Sequence, residues 1–159
     1  MRALALACCA LLASAASPAE PVDVTARVAA RPDLAGRLAD ACARVCQGNR
    51  REARLRRVTV FPLGGDRWRV EGEAALRNRQ VQAVPAGLGG LVGRELTLFD
   101  HTAIVRGRGI LDAASCRLTV EAVGLEGDRV GLGRLLDGAV GRVERIERCR
   151  ELLPEPPRR

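Results

Sequence analysis

The chain has 159 residues, 47% of them hydrophobic and 28% charged, which are the proportions of a folded globular domain rather than of a disordered or membrane-embedded chain. That length suits a single hydrophobic core and leaves two independent domains cramped. The net charge of +7 rests on 26 arginines with no lysine, while two phenylalanines and one tryptophan leave almost no stacking platform for single-stranded nucleic acid.

Residues 1–19 read as a secretory signal peptide. Met1-Arg2 is a short positive start and Ala3 to Ala13 an unbroken apolar run. Ala13-Ser14-Ala15 and Ser17-Pro18-Ala19 offer small residues to signal peptidase. The run is shorter than the roughly twenty residues that span a bilayer core, so a periplasmic or secreted product without a transmembrane segment is expected. Cleavage would remove Cys8 and Cys9 and leave Cys42, Cys46, Cys116 and Cys149, an even number that in an exported chain predicts two disulfides. Structural zinc favours close pairs of thiolates, and only Cys42 and Cys46 are close, so no metal and no cofactor is expected.

Val22 to Val28 alternates apolar and polar residues and predicts a strand. Arg31-Pro32-Asp33 then opens a helix, with proline in its first turn and an acid near its positive end. Leu34, Leu38, Ala41, Cys42, Val45 and Cys46 share one apolar stripe before Gly48-Asn49 stops it. Both cysteines of that stripe face the core, where Cβ vectors at i and i+4 run side by side, so links to Cys116 and Cys149 are predicted in preference to a bond within the helix.

The stretch Asn49 to Arg57 is the densest basic run, with Arg50, Arg51, Arg54, Arg56 and Arg57, and is read as a loop. Eleven arginines and four acids lie between Arg27 and Arg69, so an anionic partner would be met at this end of the fold. Guanidinium forks suit phosphate and carboxylate. In an exported protein they point to anionic lipid, lipopolysaccharide or acidic glycan rather than nucleic acid. A solvated basic loop is the plainer alternative.

Leu55–Leu63 and Arg67–Arg79 flank Gly64-Gly65-Asp66 and predict a β-hairpin. In its second strand Trp68, Val70, Gly72, Ala74 and Leu76 form a core face, and Arg67, Arg69, Glu71, Glu73 and Arg77 a wet face whose charges can pair across strands. Gln80–Arg94, rich in glycine, predicts a loop. Glu95–Arg108 and Ser115–Glu126 predict two further strands, the latter turning Cys116 inward. After Gly127-Asp128, Leu132, Leu135, Leu136, Ala139, Val140, Val143 and Ile146 recur at helical spacing and predict a C-terminal helix. Residues 154–159, with three prolines, are expected to be a disordered tail.

The resulting expectation is one α+β domain over residues 20–153. An antiparallel sheet of four to five long strands would be packed on one face by an N-terminal and a C-terminal helix.

Catalytic constellations are poorly supported. His101 is the single histidine, and a thiol-protease reading would join it to Cys116 with Asp100 or Asp112 as the orienting acid, although Cys116 is better used as half a disulfide. Ser115 lacks a nucleophile-elbow setting. Gly87 to Gly93 matches neither a phosphate loop nor a dinucleotide fingerprint. The function expected is that of an exported, non-enzymatic binding or cell-envelope accessory domain with an anionic or amphipathic partner. The alternatives are an enzyme whose site the sequence does not display and a structural subunit acting through protein contacts.

Overall fold

A computed structural model describes residues 20–46, 48–83, 95–127, 136 and 138–155. Its strands are β1 (Val22–Asp23), β2 (Arg50–Gly64), β3 (Arg67–Ala83), β4 (Glu95–Asp112), β5 (Arg117–Glu126) and β6 (Val143–Arg145). Two helices, α1 (Thr25–Ala29) and α2 (Pro32–Val45), separate β1 from β2, and a single turn of helix, Cys149–Leu152, follows β6. All six strands form one antiparallel sheet in sequence order.

Alternation of side chains explains the long strands. Register places Val58, Gly72 and Gly107 in one row and Thr59, Glu71 and Arg108 in the next, so apolar and charged rows point to opposite faces. The β2–β3 turn forms at Gly64-Gly65-Asp66, with Gly65 at φ 57°, a conformation that glycine adopts without penalty in two-residue hairpin loops.

The apolar face carries two clusters. The larger joins Val24, Val58, Val60, Leu111, Ala113, Cys149 and Leu153, with Trp68, Val70 and Leu118 packed against it. A disulfide between Cys116 and Cys149 closes it. The smaller joins Cys42, Cys46 and Leu76, with Leu38, Ala53 and Val105 against them. Between α2 and β2, Gly48 donates its N–H to the buried Asn78 side-chain oxygen at 2.6 Å, and a Cβ on Gly48 would overlap that amide and the Arg79 carbonyl.

Several expectations are corrected. The sheet has six strands and is not packed on one face by an N-terminal and a C-terminal helix. The two N-terminal helices are short and lie chiefly along β2, and part of the segment predicted as a C-terminal helix instead supplies β6, where Val143 pairs with Thr119 and Arg145 with Arg117. Gly141 sits at φ 82° and donates its N–H to the Val120 carbonyl, and Arg148 sits at φ 48°, so this stretch cannot continue a right-handed helix. The apolar spacing was real, but Gly138 and Gly141 weaken a helix, and the edge of β5 offers backbone partners instead.

The predicted strand Val22–Val28 stops at Asp23. There the Asp23 carboxylate accepts the Thr25 N–H at 2.8 Å and the chain turns into α1. The basic run from Arg50 to Arg57 is strand throughout rather than loop. The predicted links from Cys42 and Cys46 to Cys116 and Cys149 are not made: Cys116 and Cys149 bond each other, and the Cys42 and Cys46 sulfurs stand 2.8 Å apart without a bond. The leader, the glycine-rich stretch Gly87 to Gly93, most of residues 128–137 and the end of the tail lie outside the described residues. Among the described residues no helix is long and apolar enough to cross a membrane.

Candidate functional site

The open face of the sheet holds its charges as a ladder. Glu73 on β3 bridges Arg56 on β2 at 3.0 Å and Arg106 on β4 at 2.9 Å, and Arg106 continues to Glu126 on β5 at 2.6 Å. Arg69 pairs with Glu71 at 3.2 Å, Arg108 with Glu121 at 3.6 Å, and Arg77 with Asp100 through two hydrogen bonds. The hydrogen bond from Arg106 holds the Glu73 carboxyl below its ordinary range, and the one from Arg77 does the same for Asp100. Glu71 and Glu73 therefore serve as partners for arginines, side by side, as expected of a wet strand face.

This pairing disposes of most of the basic run. Arg50 pairs with Glu95 and Arg56 with Glu73. Arg51 donates to the Gly48 carbonyl at 2.6 Å and to the Ala43 carbonyl in the last turns of α2 at 2.8 Å, a favourable place for a cation at the negative end of a helix. Arg54 and Arg57 are exposed, and among the described residues no carboxylate lies within ion-pair distance of either. The structure thus separates five arginines adjacent in sequence into three occupied ones and two available ones.

Each available arginine borders a different concavity. Arg57 lines a trough of about 550 Å³ on the open face, with Thr59, Phe61, Glu73, Arg106 and Arg108. Its charges are largely neutralised by the ladder, and Arg69 covers the Phe61 ring at 4.2 Å. Arg54 borders a groove of about 400 Å³ between the helices and β2, whose other lining residues are Val28, Ala29, Leu34, Ala35, Leu38, Ala53 and Leu55. That lining is aliphatic throughout, and Val28, Leu34, Leu38, Ala53 and Leu55 are only half-buried. The groove has the size of a small-molecule pocket, and Arg54, between Ala53 and Leu55 and paired with Ala75, belongs to its β2 rim while its side chain leaves the strand on the opposite, open face.

Sequence reasoning missed the groove because Leu34 and Leu38 lie on the stripe that reads as core, and nothing in the spacing shows that this stripe is incompletely covered. Arg106 and Arg108 were missed because a strand with alternate arginines looks like any solvated edge.

The catalytic constellation is not assembled. Cys116 is bonded to Cys149, and Asp112 accepts hydrogen bonds from the Ala114 and Ser115 amides. His101 stacks on Phe99 with ring centroids 5.5 Å apart. It lies eleven residues along β4 from Asp112, which is about 35 Å of extended chain. Asp100, the other suggested orienting acid, is tied to Arg77. Among the described residues, no three metal-ligating side chains cluster. No protein-family model matches this sequence, and no curated protein or solved structure matches it either.

Proposed function

We propose that this chain is an exported, non-enzymatic binding module that holds a single-chain anionic amphiphile, with its alkyl chain in the groove between the helices and β2 and its head group at the edge of β2 beside Arg54, whose side chain leaves the strand toward the open face. The observation that carries the reading is the groove itself: an aliphatic lining left half-exposed, beside an arginine with no carboxylate at ion-pair distance among the described residues. Exposed aliphatic surface of this kind gains free energy when covered, at about 0.8 kcal/mol per buried methylene. An arginine at the rim selects for an anionic head. Export is supported by the leader-like residues 1–19 and by the Cys116–Cys149 disulfide, a bond that persists in oxidising compartments.

The test is a titration of the mature domain with saturated fatty acids of increasing length, below their micellar concentrations. The reading predicts one site per chain and an affinity rising about fourfold per methylene, the equivalent of 0.8 kcal/mol, until the groove is filled. Arg54→Gln should weaken binding by up to about fivefold, because an exposed ion pair contributes no more than about 1 kcal/mol. Arg57→Gln should leave it unchanged.

A second reading is favoured by the position of Arg57 in the trough: an acidic glycan laid across the open face. It makes a different prediction, salt-dependent binding that is lost with Arg57→Gln and does not depend on alkyl-chain length. Absence of chain-length dependence would exclude the amphiphile.

A further inference from the structure

Cys42 and Cys46 are buried, with 2% and 3% of their surface exposed, and their sulfurs approach to 2.8 Å. A disulfide measures about 2.05 Å, so closing the gap requires less than about 1 Å of movement. The backbone between them is already fixed, since the Cys46 N–H donates to the Cys42 carbonyl at 2.8 Å and Cys46 caps α2. Residues one helical turn apart have Cα atoms about 6 Å apart, within the range that disulfides span. Leu76, Ala53 and Val105 surround the pair and hold no group that would compete for either sulfur, apart from the Glu52 carbonyl, 3.7 Å from Cys42. The same chain already carries one disulfide, which places it among proteins made under oxidising conditions.

The geometry points to a second disulfide, Cys42–Cys46, closed within the last turn of α2. The bond is short-range and local, independent of Cys116–Cys149. It fastens the end of the helix that packs on Leu76.

The chemistry balances through an external disulfide, which is oxidised glutathione at the bench and a disulfide-donating oxidoreductase in an exporting compartment. One cysteine attacks that disulfide as its thiolate and forms a mixed disulfide, releasing one thiol. The second then displaces the carrier's other sulfur. The two cysteines lose two protons and two electrons, and the oxidant leaves as two thiols. In the folded, reduced protein burial pushes the Cys42 thiol up to about 12, which suppresses the attacking thiolate. The exchange therefore belongs to folding, before α2 docks, rather than to the finished domain.

The test uses the full chain, denatured and reduced, then refolded in a glutathione redox buffer, alkylated and digested with trypsin without reduction. Arg44 lies between the two cysteines, so trypsin separates residues 38–44 from residues 45–50 unless the bond joins them. In the fraction in which Cys116 and Cys149 are linked, the joined pair 38–44 with 45–50 is expected as the predominant form. It should be lighter by two hydrogens than its reduced parts and split by a reductant. Recovery of both peptides alkylated in that fraction would overturn the proposal, as would either cysteine linked to Cys116 or Cys149. A second arm adds the oxidant to the already folded, reduced domain. Oxidation there should be at least tenfold slower than during refolding, and equal rates would contradict the assignment of the step to folding.

Discussion

The two apolar clusters on the same face of the sheet are built to different standards. The one around Val60 and Leu111 receives residues from α1, from the five strands β1 to β5 and from the C-terminal turn, and Cys116–Cys149 ties its last segment down. The one around Leu76 receives a single helix, and between it and the larger cluster Leu34, Leu38 and Leu55 remain half-exposed around a groove. The difference teaches where the chain spends its limited apolar material: one end is completed as a core, while the other is left, among the described residues, with half-exposed aliphatic surface around a groove. A domain of this size, with two phenylalanines and one tryptophan, has little large apolar material with which to complete both.

The largest expected break in this contrast comes from the disulfide. Replacing Cys116 and Cys149 together by alanine reopens a loop of sequence separation 33 and should cost about 3–4 kcal/mol in denaturant unfolding by the chain-entropy relation. The loss should fall on the large cluster, with the hydrogen exchange of Val24 and Leu153 accelerating before that of Leu76. Equal acceleration in both clusters would mean that they unfold as one unit and would remove the distinction.

A smaller effect sharpens the other end. The chain has no lysine and no tyrosine, so between pH about 9 and about 12 cysteine thiols are the side chains that titrate. In the reduced protein the Cys42 thiol is held up to about 12 by burial, against an ordinary value of 9.0, so the folded state keeps its proton longer than the unfolded chain does. That contribution to stability is complete below pH about 9 and is lost progressively as the pH rises toward about 12. Denaturant midpoints of the protein carrying both disulfides should stay flat across this window while those of the protein with Cys42 and Cys46 reduced decline. Parallel curves would show that Cys42 is not buried as described.

Much of the sheet was legible because alternation in a strand is local information. Trp68, Val70, Gly72, Ala74 and Leu76 could be placed on one face from spacing alone, and Gly64-Gly65-Asp66 announced its turn. The end of the chain was not legible, because apolar residues at Val140, Val143 and Ile146 satisfy a helical period equally well when they belong to a turn and a short edge strand. Only the free edge of β5 decides between them. The basic run was visible, but its division into occupied and available arginines depends on Glu73, Glu95 and the helix carbonyl of Ala43, which are brought to it by folding. The groove was illegible for a related reason: a helix stripe shows which side chains seek cover and does not show whether the fold supplies enough of it.

The central claim, that the incomplete end is a binding groove for an anionic amphiphile, is tested most directly by a fatty acid carrying a nitroxide on its alkyl chain, added to the methyl-labelled domain and read by paramagnetic line broadening. The account predicts broadening of the Val28, Leu34, Leu38 and Leu55 methyls, with Ile110 on the open face of the sheet unaffected and the effect reversed by excess unlabelled fatty acid. Broadening centred on Ile110, or none at saturating ligand, would contradict it.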